Sequence, residues 1–159
     1  MSKPRKKYRP KAVMTNPLAS LRPAPPELRR KTMATFESAL MMMACGRHPG
    51  EEDWQLLSDA VNTVETLAVG QGKLVPDEVM PTVNAAIAGM VGAANRFKAG
   101  QGMRVDGPGL HALRTVLDIY EQCLEGLTER EMATAQAETQ RRVHALLRAR
   151  APSKEVICV

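Results

Sequence analysis

Aromatic side chains are scarce: Tyr8, Phe36, Trp54, Phe97 and Tyr120 make up 3% of the 159 residues. Ala, Leu, Val and Met must therefore fill any core, which suits packed helices better than a β-sandwich. No run of about 18 apolar residues occurs, which excludes a membrane-spanning helix. Cysteine is sparse and odd in number, with Cys45, Cys123 and Cys158 far apart, which argues against a disulfide framework. The basic N-terminus lacks a compact apolar segment close behind it, unlike a secretory leader. These absences together predict a cytoplasmic protein with reduced thiols.

Negative charge is nearly missing from the first fifth of the chain. Residues 1–31 hold ten Lys or Arg and a single acid, Glu27, for a net +9. Residues 32–159 carry twelve bases and sixteen acids, for a net −4. The overall +5 and the pI of 9.4 therefore describe neither part well. An acidic body with a basic arm points to a nucleic-acid or anionic-surface partner, and equally permits the arm to fold back on the body.

Six of the eleven prolines lie in residues 1–26. Proline removes backbone donors and forces extended conformations, and apolar residues here are too few to offset the entropy of ordering. We expect a disordered basic Pro-rich arm over 1–26, a helical bundle over 27–150 and a loose tail over 151–159. The bundle is all-α, compact, and of four to five helices. A body of that length buries enough surface to fold without metal or disulfides.

The helix boundaries follow from caps and apolar spacing. The first helix is expected over Glu27–Cys45, with Leu28, Met33, Phe36, Leu40 and Met43 inward. The second spans Glu51–Val69, where three acids complement the dipole at its start and Trp54, Leu57, Val61, Val64 and Ala68 form one stripe. Gly70 reads as its C-terminal stop. The third spans Asp77–Lys98, with Val83, Ile87, Met90, Ala94 and Phe97 inward and glycines that slim it for close approach. The fourth spans Pro108–Glu125 behind an Asp106 cap, with Leu110, Leu113, Leu117, Tyr120 and Leu124 inward. Thr128-Glu129-Arg130-Glu131 fits a capping box, flanked by Leu127 and Met132 at the spacing of a hydrophobic staple. A fifth helix is therefore expected from Thr128 to Arg150; one long helix through Gly126 is the alternative. Gly70-Gln71-Gly72 and Gly100-Gln101-Gly102 read as two similar loops rather than a repeat.

Catalytic chemistry finds little support. Around Gly72-Lys73 the first and last positions of a phosphate-binding loop are Leu67 and Leu74, so that motif fails. No Gly-x-Ser-x-Gly elbow occurs. Cys45 and His48 have ligand-like spacing, but no second such pair accompanies them, so no metal site is expected. Cys123 reads as a small core residue, and Met41-Met42-Met43 as gap-filling core. The chain is read as non-enzymatic and without cofactors. A helix-turn-helix is disfavoured by the long link between helices two and three and by the apolar character of helix three. The arginines late in helix five are accounted for by the helix dipole.

The remaining candidate is the arm. Lys3, Arg5, Lys6, Lys7, Arg9 and Lys11 surround Tyr8: six cations in nine residues can neutralise phosphates, and Tyr8 can stack on an unpaired base. An acidic host protein is the other partner of matching charge, a solvated tail the bland alternative, and the body supplies partner docking or self-association. The stretch Arg5-Lys6-Lys7-Tyr8-Arg9-Pro10-Lys11, together with Thr128-Glu129-Arg130-Glu131-Met132, resembles a group of small phage and prophage proteins of proteobacteria. That resemblance implies an accessory protein acting inside a bacterial host cell, and carries over no catalytic or binding residue. An inhibitor or adaptor of a host complex, or a virion structural protein, fits the same features.

Overall fold

The computed structural model describes residues 21–45, 50–70 and 74–149. Most of the predicted arm, including Lys3 to Lys11, therefore lies outside the described residues, as do the predicted tail, His48 and Gly72. The body is all-α. Five helices follow in order: α1 Pro26–Cys45, α2 Glu51–Val69, α3 Met80–Lys98, α4 Gly107–Gly126 and α5 Glu129–Ala149. A 3-10 turn, Asp77–Val79, precedes α3. No strand occurs among the described residues.

Two helices organise the other three. α2 and α4 touch each other and every remaining helix, whereas α1, α3 and α5 pack on that pair and not on one another. The pattern of burial explains why. α2 buries Leu57, Val61 and Val64 completely, and also Ser58, Asn62, Thr63 and Thr66 from its other faces. α4 contributes Leu113, Val116, Leu117, Tyr120 and Leu124. Each large aliphatic side chain taken fully out of water stabilises by roughly 1.5–3 kcal/mol, so this central pair supplies much of the cohesion. Phe36 of α1 meets Tyr120 edge to face, with ring centroids 5.1 Å apart. Trp54 of α2 donates its indole N–H to the Met90 carbonyl of α3 at 3.1 Å.

The expected stripes hold at mid-helix and fail at some ends. Leu28 and Phe97 were expected inward, but stand 51% and 40% exposed. Each sits near a helix terminus that overhangs the core. The methionine triplet also needs correction. Met43 is fully buried, but Met41 is 66% and Met42 39% exposed. Consecutive helical residues point about 100° apart, so three in a row cannot all face one core.

Gly70 ends α2 for a reason other than left-handed geometry. Its φ is −72°, an ordinary value. A Cβ there would collide with the Thr66 carbonyl oxygen, which accepts the Gly70 N–H at 2.8 Å. The left-handed glycines are instead Gly100 and Gly102, at φ of 73° and 80°, in the turn between α3 and α4.

The break between α4 and α5 rules out the single long helix. Leu127 is extended, with ψ of 150°. Glu131 N donates to Thr128 Oγ1 at 3.2 Å, and Thr128 N and Oγ1 both donate to Glu131 Oε2 at 2.8 Å. The capping box is therefore complete, and Asp106 caps α4 through Gly109 N at 2.9 Å. No described helix is long and apolar enough to cross a membrane.

Candidate nucleic-acid interface

The candidate interface lies where the predicted arm, described from residue 21 onward, meets the bundle. Arg22 stands just before α1, and its carbonyl accepts the Glu129 N–H at 2.9 Å. That bond fixes the root of the arm against the first turn of α5. Arg29 pairs with Glu125 of α4 at 2.6 Å and is mostly buried, its Nε without a hydrogen-bond partner among the described residues. Arg22, Arg30 and Lys31 are exposed near the same root. They extend the basic character of the arm onto the folded body, which is the part of the predicted charge run that the described residues contain. The predicted contact residues Lys3, Arg5, Lys6, Lys7, Tyr8, Arg9 and Lys11 lie outside them.

Beside this root, α5 and the end of α2 enclose a cleft of about 840 Å³. Its α5 wall carries Arg130, Thr134, Glu138 and Arg142, which recur every four residues and so share one face, with Arg141 beside them. Its other wall presents Val69, 50% exposed, and Leu74, 43% exposed.

Buried polar groups hold the two walls in register. Thr66 Oγ1 donates to the Asn62 carbonyl at 2.9 Å and lies 2.8 Å from Thr139 Oγ1. Arg142 reaches across from α5, donating to Thr66 Oγ1 at 3.2 Å and to Glu65 Oε2 at 3.4 Å. This corrects the dipole-only account of the helix-five cations. Arg142 is a tertiary contact, 76 residues in sequence from the hydroxyl it meets. Asn62 Oδ1, buried in the same seam, has no hydrogen-bond partner among the described residues.

The acidic groups of the cleft are largely engaged. Arg141 pairs with Glu138. The backbone and hydroxyl of Thr128 hold the Glu131 carboxyl below its ordinary range. Arg130 has no ion-pair partner among the described residues. The result is a concave surface with arginines, carboxylates and hydroxyls along α5 and apolar groups on the other side.

No family model, curated protein or solved structure matches the chain. The local chemistry therefore carries what can be said of function.

Among the described residues no group of three or more His, Cys, Asp or Glu could hold a metal ion. Cys123 is buried, which pushes its thiol above the ordinary value and leaves it a poor nucleophile. The cleft itself escaped the sequence reading. Its walls come from residues 56 or more positions apart, Leu74 and Arg130 being the nearest, and the available signal, the arginines of α5, had a sufficient local explanation.

Proposed function

We propose that the protein is a non-enzymatic accessory protein that binds nucleic acid through its basic arm. The observation that carries this reading is the charge division: a net +9 within residues 1–31 against −4 in the remainder. Lys and Arg that neutralise phosphates release condensed counterions, so a short dense run of cations binds without needing a fixed shape. The exposed Arg22, Arg30 and Lys31 support the reading by continuing the run onto the body. The resemblance of Lys3–Lys11 and Thr128–Met132 to phage and prophage proteins supports a role inside a bacterial cell.

The test is a salt series on the full-length chain with labelled DNA and RNA. Neutralising Lys3, Arg5, Lys6, Lys7, Arg9 and Lys11 to Gln gives the comparison. If the arm engages about five phosphates of a duplex, log K against log salt slopes about −4 to −5. The neutralised variant then loses most of that slope. No binding at low salt, or an unchanged slope, overturns the proposal and turns attention to an acidic protein partner.

A further inference from the structure

We infer that α5 is a lid: it opens as one unit from the other four helices, which stay folded, and swings about Leu127. This goes beyond the arm reading and stands whether or not the arm binds nucleic acid.

The body beneath α5 holds most of the core without it. Of the thirty buried apolar side chains among the described residues, α5 supplies two, Met132 and Ala135. It meets only α2 and α4. Burial of apolar surface is the main favourable term in folding, so release of α5 leaves most of that term in place.

The surface that α5 covers is of the kind a helix turns to water. On α2, Leu57, Val61, Val64 and Ala68 are buried along one stripe. Gln55, Asp59, Asn62 and Thr66, spaced four, three and four, fall on the opposite side of the same helix. That polar line is exposed at Gln55 and Asp59 and buried at Asn62 and Thr66, where Thr139 of α5 lies. The links across the seam are polar as well. Thr139 meets Thr66, Arg142 meets Thr66 and Glu65, and Gln136 Nε2 donates to the Tyr120 hydroxyl at 3.2 Å. Water replaces such bonds at small net cost, and Asn62 Oδ1 gains from water the partner it lacks among the described residues. The seam therefore opens more readily than the apolar contacts among the other four helices.

The pivot is built in. α4 ends at Gly126, Leu127 is extended with φ of −95° and ψ of 150°, and the Thr128–Glu131 box closes the first turn of α5 from within. Those bonds travel with the helix, so rotation at Leu127 moves it whole. Glu129 N is held by the Arg22 carbonyl at the same end, which leaves the C-terminal end to swing. Opening uncovers the inner half of the α2 polar line and the edge of α5 that carries Met132, Ala135, Val143 and Leu146. A molecule that binds either surface draws the lid open by its preference for that form.

The experiment is native-state hydrogen exchange in low denaturant, resolved to single amides, on the full-length chain, Ile87→Val and Thr139→Val. Ile87 is buried on α3, which does not touch α5. Its lost methylene destabilises the closed and open forms alike, whereas the lost Thr139 hydroxyl weakens the closed form alone. In the unaltered chain we expect the amides of Ala133–Thr139 to open together, at least about tenfold more often than those at the centres of α2 and α4. Their denaturant dependence is smaller, because less surface is exposed. Ile87→Val lowers the protection of α2 and α4 about two- to tenfold and leaves that of Ala133–Thr139 unchanged. Thr139→Val lowers both by the same factor. If Ile87→Val lowers α5 in step with α2 and α4, or if all three share one denaturant slope, α5 parts only when the whole chain unfolds and the inference falls. Exchange graded from the tip of α5 to Ala133 without denaturant dependence also overturns it, since that is the fraying of one helix end.

Discussion

The backbones of Gly89 and Gly109 meet directly where α3 crosses α4. A Cβ on Gly89 would lie 2.8 Å from the Gly109 Cα, and one on Gly109 would lie 2.9 Å from the Gly89 Cα. The Gly109 position is the tighter, since its Cβ would also come within 2.7 Å of Asp106 Oδ1 and of Val105 Cγ1. Backbone cannot move aside as a side-chain tip can. We therefore expect Gly109→Ala to destabilise by about 2–3 kcal/mol and Gly89→Ala by about 1–3 kcal/mol, read from denaturant midpoints. Gly126→Ala, where a Cβ meets nothing within 4 Å, is the control and should be neutral or stabilising.

Thr139 fastens α5 to α2 through a buried hydroxyl. Its Oγ1 lies 2.8 Å from Thr66 Oγ1 and 2.9 Å from the Ala135 carbonyl. Thr139→Val keeps the shape and removes the bond, at about 1–2 kcal/mol. Thr66→Val deprives Arg142 of one acceptor and should disturb the cleft wall as well. The expected signature is a lower melting temperature for both variants.

The capping box makes stability depend on acid. Hydrogen bonds from Thr128 lower the folded Glu131 value, so its contribution is full above the ordinary carboxylate value. It is lost as pH falls through the lowered folded value. Asp59 acts in the opposite sense. Partial desolvation raises it, with Gln55 opposing, so the stabilisation it gives lies at low pH and disappears as pH rises through the raised value. Glu131→Gln should flatten the acid limb of a stability–pH curve, and Asp59→Asn should steepen it. Chemical denaturation at a series of pH values between 3 and 7 reads both.

The described thiols differ in access. Cys45 is exposed, whereas Cys123 is buried with its ionisation opposed by that burial. In a Cys158→Ser background we expect one thiol to react with a maleimide in the native protein, and a second only after unfolding. Peptide mapping should place the first label on Cys45. Prompt native labelling of Cys123 would contradict the packing of α4.

Much of the fold was legible because its boundaries are written in local chemistry. The acids of the first turn of α2 and the Thr128–Glu131 box mark their helix starts without help from tertiary structure. Asp106 does the same for α4. The errors have one source, namely that periodicity reports direction and not depth. Leu28 and Phe97 point along apolar stripes yet overhang the core. Ser58, Asn62, Thr63 and Thr66 are polar and would be placed outside, but the surrounding helices cover them. The cleft was illegible for a related reason: its apolar and cationic walls lie on segments that only the tertiary fold brings together.

The amides at the start of α5 leave that helix with one direction in which to come apart. Thr128 N and Glu131 N are held by the box, and Glu129 N by Arg22. At the far end Leu147 stands half in water and, among the described residues, Arg148 donates to the His144 carbonyl of its own helix. Fraying therefore starts at the C-terminal tip and runs backward, and slow hydrogen exchange should persist longest around Thr128–Thr139. Arg130 and Thr134 belong to the stretch that opens last, so their end of the cleft keeps its shape while the helix beyond Arg142 breathes.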